Sequence, residues 1–296
     1  MPVAMSSEER KEPAIGVIGG SGLYEMEGVS DLSEVAVKTP FGDPSDHVIT
    51  GRISGRRVCF LPRHGVGHRL LPHEINHRAN IWALRSLGVR WLISVTAVGS
   101  LREELKPRDI VVPHQLIDRT GTGAKHTFFG NGIAAHVGFA DPYCSDLRKL
   151  LLTAARKLAP ATHDGGTYLC MNGPAFSTRT EAAMHRMMGA DLIGMTNAPE
   201  ARLSREAEIA AAALALVTDY DCWKEDEEAV EVEAVVANLQ ANSALAKKIV
   251  REVISLVPET PSSASHRALD TAIFTPRVMW PEKSARDLAP ILGRFG

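Results

Sequence analysis

PHEINHRANIWALRSLGVRWLISV, residues 72–95, is the stretch on which the fold turns. Ile75, Ala79, Trp82, Ala83 and Leu87 recur at helical spacing, Gly88 supplies a stop, and Val89–Val95 follows as a short apolar run. A helix from Pro72 therefore feeds a buried strand. Upstream, Ala14-Ile-Gly-Val-Ile18 reads as a strand that ends in the tight turn Gly19-Gly20-Ser21-Gly22. Between Val35 and Leu61, short β-prone pieces broken by Thr39-Pro-Phe-Gly-Asp-Pro-Ser45 and Ser54-Gly-Arg-Arg57 read as hairpins. Downstream the alternation returns. It predicts a helix from Ser145 to Leu158, a strand over Thr167–Met171, a helix over Thr180–Met188 and a strand over Ala190–Met195. A helix over Pro199–Ile209, a strand over Leu214–Thr218 and a long amphipathic helix from Val232 to Leu256 complete it. The expected class is α/β, three layers with a central mixed sheet between helices. Residues 14–296 are expected to form a single domain, 1–13 a disordered N-terminal extension, and the stretch after Leu256 a surface tail of turns with a short helix near Ala285–Leu292.

Composition removes several functions. The 296 residues carry 33 Lys+Arg against 35 Asp+Glu, a formal net charge of -2, so no broad positive field is available to nucleic acid. No apolar run reaches the roughly 18–20 residues of a membrane span, and Met1–Glu12 has no apolar centre to serve as a signal peptide. Cys59, Cys144, Cys170 and Cys222 are widely spaced and read as reduced thiols. A cytoplasmic protein without membrane or nucleic-acid partners is expected.

In a parallel sheet, ligands bind beyond the carboxyl ends of the strands. Gly19-Gly20-Ser21-Gly22 offers backbone N–H groups and a hydroxyl suited to one phosphate, or is an ordinary glycine turn. Arg63-His64-Gly65 sets a permanent cation beside an imidazole. Thr96-Ala97-Val98-Gly99-Ser100 adds a hydroxyl among small residues. Thr218-Asp219-Tyr220-Asp221 places two carboxylates on one face if the strand continues, where repulsion and desolvation would raise at least one pKa. A solvated strand-end turn is the rival reading there.

His73-Glu74-Ile-Asn-His77 is a literal HExxH, the zinc motif of metalloproteases. That chemistry needs a helix already running before the motif and a third ligand downstream. Pro72 marks His73 as first-turn, and Glu103 and Glu104 lie beyond a strand and a turn, so no metal is expected.

Taken in order, Ile18-Gly-Gly-Ser-Gly-Leu23, Thr39-Pro-Phe-Gly-Asp-Pro-Ser45, Arg63-His64-Gly65, Asn80-Ile-Trp-Ala-Leu84, Gly99-Ser-Leu101, Gly173-Pro-Ala-Phe176, Met195-Thr196 with Pro199-Glu200, and Thr218-Asp-Tyr-Asp-Cys-Trp-Lys224 point to one family. The chain closely resembles the 5'-methylthioadenosine phosphorylase branch of the trimeric purine nucleoside phosphorylase family, from Ile15 to Leu256. The resemblance implies phosphate-dependent cleavage of a purine nucleoside with inorganic phosphate as co-substrate and no cofactor. It implies that Ser21, Arg63, His64, Thr96, Ala97 through its backbone, and Thr196 hold phosphate. Phe176, Ser177, Asp219 and Asp221 would hold the purine and Met195 would pack by the ribose. Val232, Val235 and Val236 would line the methylthio pocket, and His136 would reach a neighbouring subunit's site. Ser21 stands where the family often has threonine, His77 where tyrosine is common, and Asn197 where some relatives have a second threonine. A homotrimer is implied, with a hexamer open.

The reaction fits the residues. Positive charge grows on the sugar and negative charge on the departing purine, so both need stabilising. A protonated Asp219 would donate to N7 while ionised Asp221 accepts from the adenine amine. A 6-oxo purine or methylthioinosine phosphorylase, a nucleosidase that uses water, and a non-catalytic nucleotide sensor remain alternatives, separated by a substrate panel with and without phosphate.

Overall fold

The computed structural model describes residues 12–20, 23, 25, 26, 28–121, 126–159, 161–224 and 232–295, with backbone alone for 232–237 and 239. Its strands are β1 (Ala14–Gly19), β2 (Ser30–Val35), β3 (Val48–Ile53), β4 (Arg56–Pro62), β5 (Val89–Ser100), β6 (Ile110–Val112), β7 (Gln115–Asp118), β8 (Thr162–Asp164), β9 (Thr167–Cys170), β10 (Leu192–Gly194) and β11 (Ala210–Asp219). The helices are α1 (His77–Ser86), α2 (Ser145–Leu158), α3 (Arg179–Met187), α4 (Asn197–Glu206), α5 (Val232–Leu256), α6 (Glu282–Asp287) and α7 (Ala289–Leu292). The strands join in one mixed sheet of order β2-β3-β4-β1-β5-β10-β9-β7, with β11 on the other edge of β5 and leading through β6 to β8.

β5 organises the molecule. One edge runs parallel to β11 from Trp91 to Gly99. The other edge pairs with β1 as far as Ser94 and takes up β10 only at Gly99. Thr96 and Ala97 therefore lie in a gap where one neighbour has left and the next has not arrived, a break of the kind at which α/β sheets bind ligands. The sequence pattern puts them in a loop after a strand ending at Val95. Instead β5 runs on through Ser100, because β11 keeps pairing with it on the far edge.

Alternation along β5 sends Trp91 and Ile93 into a core with Leu147 and Leu151 of α2 and Ile249 and Val253 of α5. Leu92 goes into the opposite core with Ile81 and Leu84 of α1 and Leu203 of α4. β1 and β11 are buried on both faces, which explains their continuously apolar sequences. Ser54 and Gly55, both at positive φ, turn β3 into β4 at the pairing of Ile53 with Arg56, the two-residue hairpin geometry that suits strand twist.

Two expectations change. The helix does not start at Pro72: residues 72–74 form a single 3-10 turn, Ile75 is extended, and Asn76 caps α1 by accepting from the Ala79 N–H. His73 and His77 of the HExxH stretch thus sit on different elements, and the continuous helix a zinc site needs is missing from the motif. The stretch after Leu256 is not a surface tail either. Leu269, Ile291 and Leu292 are buried in the α1 core, and Glu208, fully buried after α4, is bonded by Arg294 and by the Leu269 N–H. Among the described residues no helix is long and apolar enough to cross a membrane.

Candidate active site

The gap in the sheet opens into a cavity of about 470 Å³ lined by the ends of β1, β4, β10 and β11, the middle of β5, and Ser243 and Ala246 of α5. Arg63, His64, Thr96, Ala97, Phe176, Ser177, Met195, Thr196, Asp219 and Asp221 all line it. Residues from five parts of the chain thus line one cavity. Ser21 and the side chains of Val232, Val235 and Val236 lie outside the described residues. His136 is not part of this chain's cavity. It is exposed and packs edge-on against Phe274, with ring centroids 5.2 Å apart.

On the phosphate side, the parallel pairing of β1 and β4 carries the backbone past the β1 turn, with the Arg63 N–H bonded to Gly19 O at 2.8 Å. The Arg63 side chain is less free than its sequence context suggests. Nε donates to Glu200 Oε1 at 2.5 Å, and Nη2 is shared among Glu200 Oε2, Ser94 Oγ and Ile18 O. Nη1 donates to Val95 O. Of the five guanidinium N–H bonds, this leaves one Nη1 hydrogen. Burial opposes the Arg63 charge, but the charge and hydrogen bonds of Glu200 outweigh it and raise the pKa.

His64 Nδ1 lies 2.8 Å from Leu70 O, which can only accept, so Nδ1 carries the proton and Nε2 keeps a lone pair. Burial first, then the Arg63 charge, push its pKa down to about 4. Its ring stacks on His68 at 4.1 Å. Thr196 precedes α4, and Thr96 Oγ1 approaches the buried Tyr168 hydroxyl at 3.5 Å. Gly194 is required there, since a Cβ would lie 1.9 Å from that hydroxyl.

On the carboxylate side, strand alternation is not what pairs the two acids. β11 ends at Asp219, and Asp221 adopts a left-handed turn with φ +53°. Its N–H then donates to Asp219 Oδ1 at 2.8 Å, while Thr218 Oγ1 donates to Asp219 Oδ2 at 2.7 Å. Gly99 leaves room for this approach, because a Cβ there would sit 2.9 Å from Asp219 Oδ1. Burial raises both pKa values, that of Asp221 to about 6 despite a hydrogen bond from Ser177. Asp221 Oδ2 is buried and has no hydrogen-bond partner among the described residues. Hydrogen bonding favours the ionised form at both acids, and burial opposes it at both, so the two titrate as a pair.

Glu200 and Ser94 carry no signal of a site role in the sequence. Glu200 belongs to the quoted Pro199-Glu200 pair, but a glutamate opening a helix reads first as a partner of the helix dipole. Thr218 stands in its motif without an assigned role. Among the described residues there is no group of three His, Cys, Asp or Glu placed to hold a metal ion.

Residues 14–255 match the Phosphorylase superfamily. An S-methyl-5'-thioadenosine phosphorylase of Geobacter sulfurreducens is 51% identical over 284 residues, covering 96% of this chain and 99% of the relative. That of Gloeobacter violaceus is 52% identical over 286 residues, covering 95% of each. A methylthioadenosine phosphorylase from an antarctic soil metagenomic library superposes with a TM-score of 0.90 at 46% identity, covering 95% of this chain and 99% of that one. The methylthioadenosine phosphorylase of Schistosoma mansoni in complex with adenine gives 0.77 at 34%, covering 95% and 98%. With likeness of this extent in sequence and in fold, the chain belongs to the S-methyl-5'-thioadenosine phosphorylases of the phosphorylase superfamily.

Proposed function

We infer that the cavity binds 5'-methylthioadenosine beside inorganic phosphate and splits the nucleoside into adenine and 5-methylthioribose 1-phosphate, a step in purine and methionine salvage. Phosphate is a co-substrate and no cofactor takes part. The observation that carries this reading is the convergence of the Asp219–Asp221 pair and the Arg63, His64, Thr96 and Thr196 group on one cavity.

A phosphate oxygen attacks C1′ of the ribose. The C1′–N9 bond breaks with its electron pair passing to the purine, and N7 takes a proton from the carboxyl pair. Adenine presents an acceptor at N7 and a donor at the amine, so it fits a pair that holds one proton between its two members. Thr218 and the Asp221 N–H fix Asp219. The phosphate is held by Ser21, the remaining Nη1 hydrogen of Arg63, His64, Thr96, the backbone of Ala97, and Thr196. Neutral His64 accepts from a phosphate hydroxyl through Nε2. Phe176, half exposed at the cavity, covers the purine, and Met195 packs by the ribose. Val232, Val235 and Val236 receive the methylthio group.

The same reading makes residues 14–296 one domain in a homotrimer, with His136 serving a neighbour's site. Phe274 beside it and, further along the chain, Val278 and Met279 are 69%, 92% and 67% exposed, large apolar side chains available for burial between copies. A cytoplasmic setting accords with free thiols at Cys59, Cys144, Cys170 and Cys222. The test is adenine release from methylthioadenosine with and without phosphate. Release is expected only with phosphate, and equal rates would replace phosphorolysis by hydrolysis.

A further inference from the structure

Arg63 is the one arginine or lysine among the described residues that line the cavity, yet its charge is already matched inside the protein. Its side chain is 3% exposed and that of Glu200 1%, and the two meet as a two-pronged pair. Behind them Ser94 Oγ donates to Glu200 at 2.6 Å and accepts from Asn197 Nδ2 at 2.9 Å, and the Tyr143 hydroxyl donates to Asn197 Oδ1 at 2.5 Å. This chain of bonds runs away from the cavity and holds the carboxylate in one place. His64 adds no charge near neutral pH, for its burial and the neighbouring Arg63 charge keep it neutral.

We propose that Glu200 is a positioning residue that cancels the Arg63 charge, so that this pair adds no net cation to the phosphate seat and the anion is held by hydrogen bonds without a net positive charge. The inference rests on the phosphorolysis reading. Its consequence is mechanistic. A phosphate not neutralised by a guanidinium keeps its negative charge for the ribosyl cation that grows above it. An unmatched arginine would hold the ground-state anion harder and blunt that attraction in the transition state.

Glu200→Gln preserves shape and removes the cancelling charge. The expected result is a KM for phosphate, and an inhibition constant for sulfate, each about tenfold lower, with kcat about tenfold lower and the nucleoside KM unchanged. A phosphate KM that stays the same or rises overturns the inference and leaves Glu200 as an aiming group only. A general structural defect would not tighten anion binding. Should Glu200→Gln fail to fold, Arg63→Met combined with Glu200→Met replaces a buried pair by apolar groups of similar volume. A phosphate KM raised less than about a hundredfold in that double variant supports a charge-cancelled arginine, and a larger rise overturns it. The wild type, assayed in parallel, keeps the two failures apart. Adenine release without phosphate would remove the phosphorolysis reading itself, whereas a phosphate-dependent wild type with a weaker-binding Glu200→Gln removes only this inference.

Discussion

Among single residues, the carboxylate pair shows how one backbone torsion creates chemistry. The left-handed turn at Asp221 brings its N–H onto Asp219 and leaves its own Oδ2 buried and without a partner among the described residues. On the proposed reading, that oxygen meets the adenine amine or holds a proton. Asp221→Asn is expected to lower kcat/KM for methylthioadenosine relative to methylthioinosine and inosine by about 1–3 kcal/mol, since an amide can donate to a 6-oxo group. A side-by-side assay of the three nucleosides measures it. The pair also predicts a pH dependence. Because burial raises the Asp221 pKa to about 6, the proton needed at N7 is present below that value and lost above it in the ligand-free protein. Adenine affinity, measured by titration calorimetry, is therefore expected to fall as pH rises through that region, and Asp221→Asn to flatten the profile. Both aspartates, Arg63, His64 and Thr96 are legible in the sequence as polar residues at predicted strand ends. Glu200 is not, because its value lies wholly in a partner 137 positions away.

Among helices and strands, long apolar stretches are legible and short or interrupted ones are not. α2 and α5 stand where their periodicity puts them, and β1 starts at the expected residue. The 3-10 turn before α1 is hidden because the apolar periodicity continues across Ile75 while the backbone does not. β6, β7 and β8, of three to four residues each, carry too little pattern to be read. Of the C-terminal elements, the short helix read near Ala285–Leu292 stands as α6 and α7, while the packing of this stretch into the core escapes the pattern because its apolar residues are spaced by prolines and turns. Their anchorage can be tested. Arg294→Met leaves the fully buried Glu208 carboxylate without its charged partner, though Arg85 and Arg90 lie near enough to feel it. A loss of about 2–3 kcal/mol is expected for the charged hydrogen bonds, measured by urea denaturation with adenine release as a check on the site.

Across the protein as a unit, the proposed trimer assigns the exposed apolar residues Phe274, Val278 and Met279 to contacts between copies. Sedimentation of the purified protein is expected to give a trimer. Val278→Asp, at the most exposed of the large apolar residues, is expected to shift the mass toward monomer and raise the nucleoside KM, because the neighbour's His136 would be withdrawn. A fully active wild-type monomer would contradict this. The order of amino acids alone was enough for the α/β class, the succession of the main elements and the turns at which chemistry gathers, since these depend on local periodicity and on residues that stop strands. It took the folded chain to show that Thr96 and Ala97 lie in a sheet gap, that Asp221 folds back on Asp219, and that Arg63 is matched by Glu200. Each of these is a contact between segments distant in the chain or a torsion chosen by packing, and neither leaves a periodic trace in the order of residues.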